Sequence, residues 1–378
     1  MIMHSRCSEF LSNPFTTSHL PIVDACSIEL MKKEGAILIR AQLGKQKLKT
    51  IADILSDVLS VRKGHFVFPW RTKDKPIGFQ YIFFIKEKPI FIQEQEYPIR
   101  IPLEKYYVEF PQLVEEDEAL DLWRRKLLWN AIGKKSLGRG RSLTHQTPWE
   151  TKELVKLLWN KNNGKCFLKE TEKSNNNSGI PLSIHSQICI NEGINDNEEI
   201  PENLSEVPVN KIRWDKNGKF IVEKALEAWI MENIDTPIGN SFRQKVLELN
   251  NVNQIMSFHN YLPFGVQGAN IDVVVFSKKE NGTIVAHILE LKKDEIKYKD
   301  FRKYEREEIN KYAKFIEKFL EVYGENFIIK KGILSYKPSI KEIKKYVRDY
   351  KGDTDWFYYE INCEIEEKII FDNVKNLV

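Results

Sequence analysis

Cysteine is scarce in this sequence. Cys7, Cys26, Cys166, Cys189 and Cys363, five residues among 378, are odd in number and scattered, with no C-x-x-C pair. That spacing argues against a disulfide framework or a structural zinc site and fits a reducing interior. Long apolar runs are missing too. The most apolar stretch, "IGFQYIFFIKEKPIFI", is broken by Lys86, Glu87 and Lys88, too soon to cross a bilayer. The opening "MIMHSRCSEFLSN" lacks the basic start and apolar core of a signal peptide, so a cytoplasmic location is expected. Net charge is small, +4, and any case for a nucleic-acid partner must rest on local clusters.

What the chain does contain is ample core material, 42% hydrophobic residues, over a length that suits two domains. One segment stands apart: "TEKSNNNSGIPLSIHSQICINEGINDNEEIPENLSEVP" is rich in Asn, Ser and Pro, acidic, and without periodicity. It reads as a linker, 171–209, between a domain at 1–170 and another at 210–378.

The fold class expected is α/β (α+β). In the first domain, helical spacing over Leu48 to Ser60 and strand-like runs such as "GHFVFPW" and "GFQYIFFI" predict a small curved β-sheet or barrel with a few helices. In the second, the patterns run helix, three strands, helix, strand, helix, strand, an α/β core with an antiparallel hairpin inside it.

That hairpin carries the most informative stretch, "HILELKKDE". On a strand, residues two apart share a face, so Glu290 and Lys292 project side by side. A surface ion pair at a strand end is the plain reading. The turn before it changes the weight. "ENG" suits a three-residue loop with Gly282 in the left-handed conformation, which sets Lys279 against Thr283 and Asp272 opposite Glu290. A two-residue Asn281-Gly282 turn would instead put Asp272 on the other face. Two facing carboxylates repel unless a cation lies between them, and Lys292 or a divalent metal can fill that role.

Asp272 followed by Glu290-Leu291-Lys292 on the next strand resembles the PD-(D/E)xK nuclease superfamily. The likeness extends over about Phe220 to Tyr323. "EKALEAWI" places Glu223 and Leu226 where RecB-like and NucS-like members have an acid and a leucine. "GANIDVVV" is similar to the family's Gly-x-x-x-Asp lead-in. "EREEINKY" puts Glu308 and Tyr312 where NucS-like members carry Gln-x-x-x-Tyr. Glu308 in place of Gln, and no Pro before Asp272, are departures. The resemblance implies a restriction-endonuclease-like αβββαβ core, with Glu223, Asp272 and Glu290 holding Mg²⁺ or Mn²⁺. It also implies that Lys292 positions the attacking water, while Glu308 and Tyr312 support the site or touch the nucleic-acid backbone. Glu227 is a spare acid on the same helix. His259 and His287, with apolar or strand neighbours, read as structural. Lys293, Lys297, Lys299, Arg302, Lys303 and Arg306 form a basic run, either a solvated face or a phosphate-holding one.

In the first domain, "FPWR" and "YPIRIPLE" resemble PUA-like domains of the EVE type, which bind modified or flipped bases. That resemblance implies stacking by Trp70 and an edge or phosphate contact by Arg71. Against it stands the reading of these aromatics as core. "GKKSLGRGR" offers Lys134, Lys135, Arg139 and Arg141 as a phosphate-binding loop, or a basic loop that binds nothing.

The function expected is a metal-dependent DNA endonuclease, with the first domain selecting a modified base, a sequence or a lesion. The competing classes are a non-catalytic nucleic-acid-binding module of nuclease-like fold, and a nuclease acting on structured RNA. One active site per chain cuts one strand at a time, so double-strand cleavage would favour a homodimer.

Overall fold

The computed structural model describes residues 11, 15–23, 25–39, 48–71, 76–92, 96–128, 143–172, 179–183, 218–263, 270–362 and 368–377. The chain is mixed α/β with several sheets, and no barrel closes among the described residues. None of their helices is long and apolar enough to cross a membrane. The contacts divide it into two units, residues 1–41 with 57–182, and residues 42–56 with 183–378. The second unit thus takes a short piece from the first half of the sequence.

The first unit holds an eight-stranded and a four-stranded sheet. Phe66, Phe68, Trp70, Phe79, Ile82 and Phe84 are buried in one core cluster with Leu154 and Leu158 of the helix Pro148–Lys161. That helix starts on a capping box in which Thr147 and Glu150 satisfy each other's free backbone N–H groups. Cys166 is buried in the same core cluster.

The second unit begins with helix α1 (Leu48–Leu59), of which residues through Ser56 belong to it. Helix α2 (Glu223–Asn233) and the short α3 (Asn240–Lys245) lead into strands β1 (Ile255–Pro263), β2 (Asn270–Lys278) and β3 (Ile284–Glu295). Then come α4 (Tyr298–Tyr304), a π-turn at Glu305–Ile309, α5 (Asn310–Val322), β4 (Phe327–Tyr336), α6 (Ile340–Asp349), β5 (Thr354–Asn362) and β6 (Lys368–Asn373). The six strands form one sheet in sequence order. β1, β2 and β3 pair antiparallel, β4 and β5 join parallel, and β6 closes the far edge antiparallel. The parallel pairs require crossovers, which the helices between them supply.

The hairpin turn decides the register. Lys279 N donates to Thr283 O at 2.9 Å and Gly282 N to Lys279 O at 2.9 Å, with Gly282 at φ +86°. Only glycine takes that backbone cheaply. The ladder then pairs Val274 with Ile288 and Val273 with Leu289, so the next step brings Asp272 to Glu290.

Gly332 on β4 permits a close approach. A Cβ there would meet Leu289 Cδ2 at 2.7 Å and Phe357 Cε2 at 2.8 Å. Gly332→Ala is expected to cost about 1–3 kcal/mol through overpacking, read as a lower urea midpoint. An unchanged midpoint would show that Leu289 and Phe357 move aside freely.

Candidate active site

The site forms where β2 and β3 part. The last paired step of their ladder is Val273 with Leu289. Beyond it the Leu291 N–H, released from the hairpin, donates to Asp272 Oδ2 at 2.9 Å. That bond fixes the Asp272 carboxylate at the strand end and leaves Oδ1 to other partners. Glu290, on the same face, is 4% exposed. Lys292 Nζ donates to Glu290 Oε1 at 2.5 Å and lies 3.6 Å from Glu223 Oε2.

Glu223 opens helix α2, whose first turn faces this spot and favours negative charge there. Asp272, Glu290, Lys292 and Glu223 therefore converge, from two strands and a helix N-terminus. Beside them lies a cleft of ≈ 450 Å³ lined by Val222, Glu223, Lys224, Lys292, Ile296 and Tyr304, among others.

The electrostatics describe carboxylates short of positive charge. Burial, and then the Asp272 charge, push the Glu290 carboxyl up to about 10. Burial and Asp272 likewise raise Glu223 to about 7. Asp272 is itself raised by burial. Burial works against the Lys292 charge, yet Glu290, Asp272 and Glu223 together outweigh it and hold the ammonium protonated. Buried Glu290 Oε2 has no hydrogen-bond partner at good geometry. Such an acceptor is costly to leave bare and marks a place for a cation or a donor.

Glu308, in the π-turn, and Tyr312, on α5, both act on the Glu290 carboxyl. Tyr312 is raised by burial and by Glu290 and Glu308, so it stays a neutral donor. The π-turn adds a residue to the helical path between Tyr304 and Tyr312, a local widening that recurs at functional sites.

Other residues singled out in the sequence are placed differently. Glu227 is 1% exposed and held by Ser56, Asn260 and Lys224, close enough to the site that its charge adds to burial in raising Asp272 and Glu223. His259 and His287 are buried, pair with Ser257 at 3.0 Å and Ser277 at 3.1 Å, and are pushed down to about 3 by burial. Lys297 is exposed at the start of α4, and Arg302 pairs with Glu305 at 2.9 Å.

In the first unit Trp70 is 0% exposed, packed on Phe79 with ring centroids 5.6 Å apart, so its ring presents no face to a base. Arg71 is half-buried. Lys134, Lys135, Arg139 and Arg141 lie outside the described residues.

Sequence reasoning missed Tyr304 and Lys224. Lys292 Nζ sits 4.8 Å from the Tyr304 ring centroid, a cation–π contact that steadies the ammonium. Tyr304 lies four residues before Glu308, a spacing that could have pointed to it. Lys224 follows the helix acid directly and lines the cleft.

Among the described residues no group of three His, Cys, Asp or Glu side chains stands in metal-ligating geometry, and the Lys292 ammonium lies between Glu290 and Glu223. The donor set still fits a hard divalent cation. It offers carboxyl groups raised by burial and by want of positive charge. No protein-family model matches the chain, and no similar curated protein or solved structure was found.

Proposed function

We propose that the second unit is a Mg²⁺- or Mn²⁺-dependent DNA endonuclease, and that the first unit selects its target. The observation that carries this is the convergence of Asp272 and buried Glu290 with Lys292 and Glu223, the last two lining a cleft, and with the carboxyl groups raised above their ordinary range. Like charges are gathered this closely at a cost, and a site that takes up a cation and a phosphate explains the cost.

Asp272 and Glu290 would hold the ion, with Glu223 joining directly or through water. When bound, the ion supplies charge stabilisation at the scissile phosphate and a more acidic water. Lys292 keeps its proton, so it acts as a hydrogen-bond donor that orients the attacking water or a phosphate oxygen. Tyr304 holds that ammonium from beside the cleft, and Glu308 and Tyr312 steady Glu290 from the helix side.

The test is incubation of the chain with supercoiled plasmid, linear duplex DNA and duplex RNA in Mg²⁺ or Mn²⁺. Cutting of DNA that a chelator abolishes is expected. Cutting of RNA alone would move the substrate class, metal-independent cutting would overturn the metal requirement, and absent cutting would leave the chain a binding module.

A further inference from the structure

Helix α2 is unusual for the element that delivers a catalytic acid. Ala225, Leu226, Glu227, Ala228, Trp229, Ile230 and Met231 are consecutive and all buried. A helix buried nearly all round has no apolar stripe to set its rotation about its own axis. Something polar must set it.

The polar fixture is Glu227. Ser56 Oγ donates to Glu227 Oε1 at 2.5 Å, Asn260 Nδ2 donates to the same oxygen at 3.1 Å, and the Lys224 ammonium pairs with Oε2. Asn260 Nδ2 also reaches Ser56 Oγ at 2.8 Å, which closes a ring through α1, α2 and β1. All three of Ser56, Glu227 and Asn260 are buried. A closed, buried ring of this kind makes its three bonds in one geometry, and breaking one member takes partners from the others.

We infer that Ser56 and Asn260 are positioning residues of the site. By gripping Glu227 they fix the rotation of α2, and with it Glu223 one turn earlier and Lys224 against the cleft. Glu223 and Glu227 are four residues apart and share a helix face, so turning one turns the other. Glu223 lies 3.6 Å from Lys292, and Lys224 lines the cleft beside both. The second unit therefore draws a working part from residues 42–56, far from the motif in sequence. This rests on the nuclease reading for its consequence, although the clamp itself does not.

The experiment uses the full chain and measures Mn²⁺ affinity by calorimetry, kcat and KM on duplex DNA, and Tm. Ser56→Ala is expected to lower kcat and weaken Mn²⁺ binding about ten-fold each, with KM for DNA nearly unchanged, while Ser56→Thr restores both to within about two-fold. Asn260→Ala should repeat the Ser56→Ala pattern. Glu227→Gln should fall to the same level and stop short of the loss seen in Asp272→Ala.

A Ser56→Ala chain that melts lower but keeps its kcat and Mn²⁺ affinity would overturn the clamp as anything more than packing. A Glu227→Gln loss equal to that of Asp272→Ala would make Glu227 a ligand and overturn it as well. If the wild type binds Mn²⁺ but cuts no DNA, the nuclease reading fails alone, and the Mn²⁺ affinities of the variants still decide the clamp.

Discussion

Asp272→Asn is expected to abolish metal-dependent cutting and, in the absence of metal, to make the protein harder to melt. The two effects have one origin. Asp272 faces Glu290 across the hairpin and helps raise both Glu290 and Glu223. An asparagine carbonyl can still accept the Leu291 N–H, so the strand end keeps its shape while one repelling charge disappears. Activity should fall by about 10³-fold or more, because a carboxylate proposed to hold the ion has no neutral substitute. Tm of the metal-free protein should rise by roughly 2–4 °C, the shift that about 1 kcal/mol produces in a domain of this size.

Lys292→Ala separates the terms. It too should end cutting, but it leaves Glu290 and Glu223 without their cation, so its Tm should drop. A Tm that falls for Asp272→Asn, or cutting that survives it, would refute the reading of Asp272 as a strained catalytic carboxylate.

The second large effect is on pH dependence. Glu223 and Glu290 are raised, to about 7 and about 10, so the folded chain holds protons that the unfolded chain has already released. A group of this kind favours folding at low pH and loses that contribution as pH climbs from its unfolded value through its folded one. His259 and His287 run the other way. They are depressed to about 3, and their burial in the neutral form is penalised only where the unfolded histidines would charge, below about 6.5. The opposing slopes offset each other between about pH 4.5 and 6.5. Above that window the carboxyl groups act alone, and the metal-free protein should lose stability up to about pH 10.

Added Mg²⁺ should remove this decline, since the ion displaces the protons. Its apparent affinity should rise about tenfold per pH unit for each proton released. Thermal melts at about pH 6 and about pH 9, with and without Mg²⁺, check it. Equal stabilisation by Mg²⁺ at both values would mean that these carboxyl groups do not take up the ion.

Part of this site was legible in the chain because its information is local. "ENG" supplies a three-residue loop whose glycine takes a positive φ, and that choice puts Asp272 and Glu290 on one face. Period-two alternation then carries Lys292 alongside. The helices before and after the hairpin follow from apolar spacing, and the second unit adds to the expected order the short α3 before the strands and β6 at the far edge. Aromatic content was a poorer guide. Trp70 alternates with Phe66 and Phe68, and such alternation says only that the three share a face. Whether that face meets solvent or a helix is decided elsewhere in the chain, and here it meets core.

The sequence by itself determined the hairpin register, the helix order and the pairing of acid with lysine, since turn chemistry and side-chain period act over a few residues. Only the tertiary structure decided how charged the site is and what holds it. Burial of Glu290, the π-turn that brings Glu308 and Tyr312 to bear on it, and the Tyr304 ring beside Lys292 all depend on helices packed across the sheet. The grip of Ser56 and Asn260 on Glu227 spans separations of 171 and 33 residues. No local pattern encodes such a contact, because it exists only once the intervening chain has folded and excluded water around it.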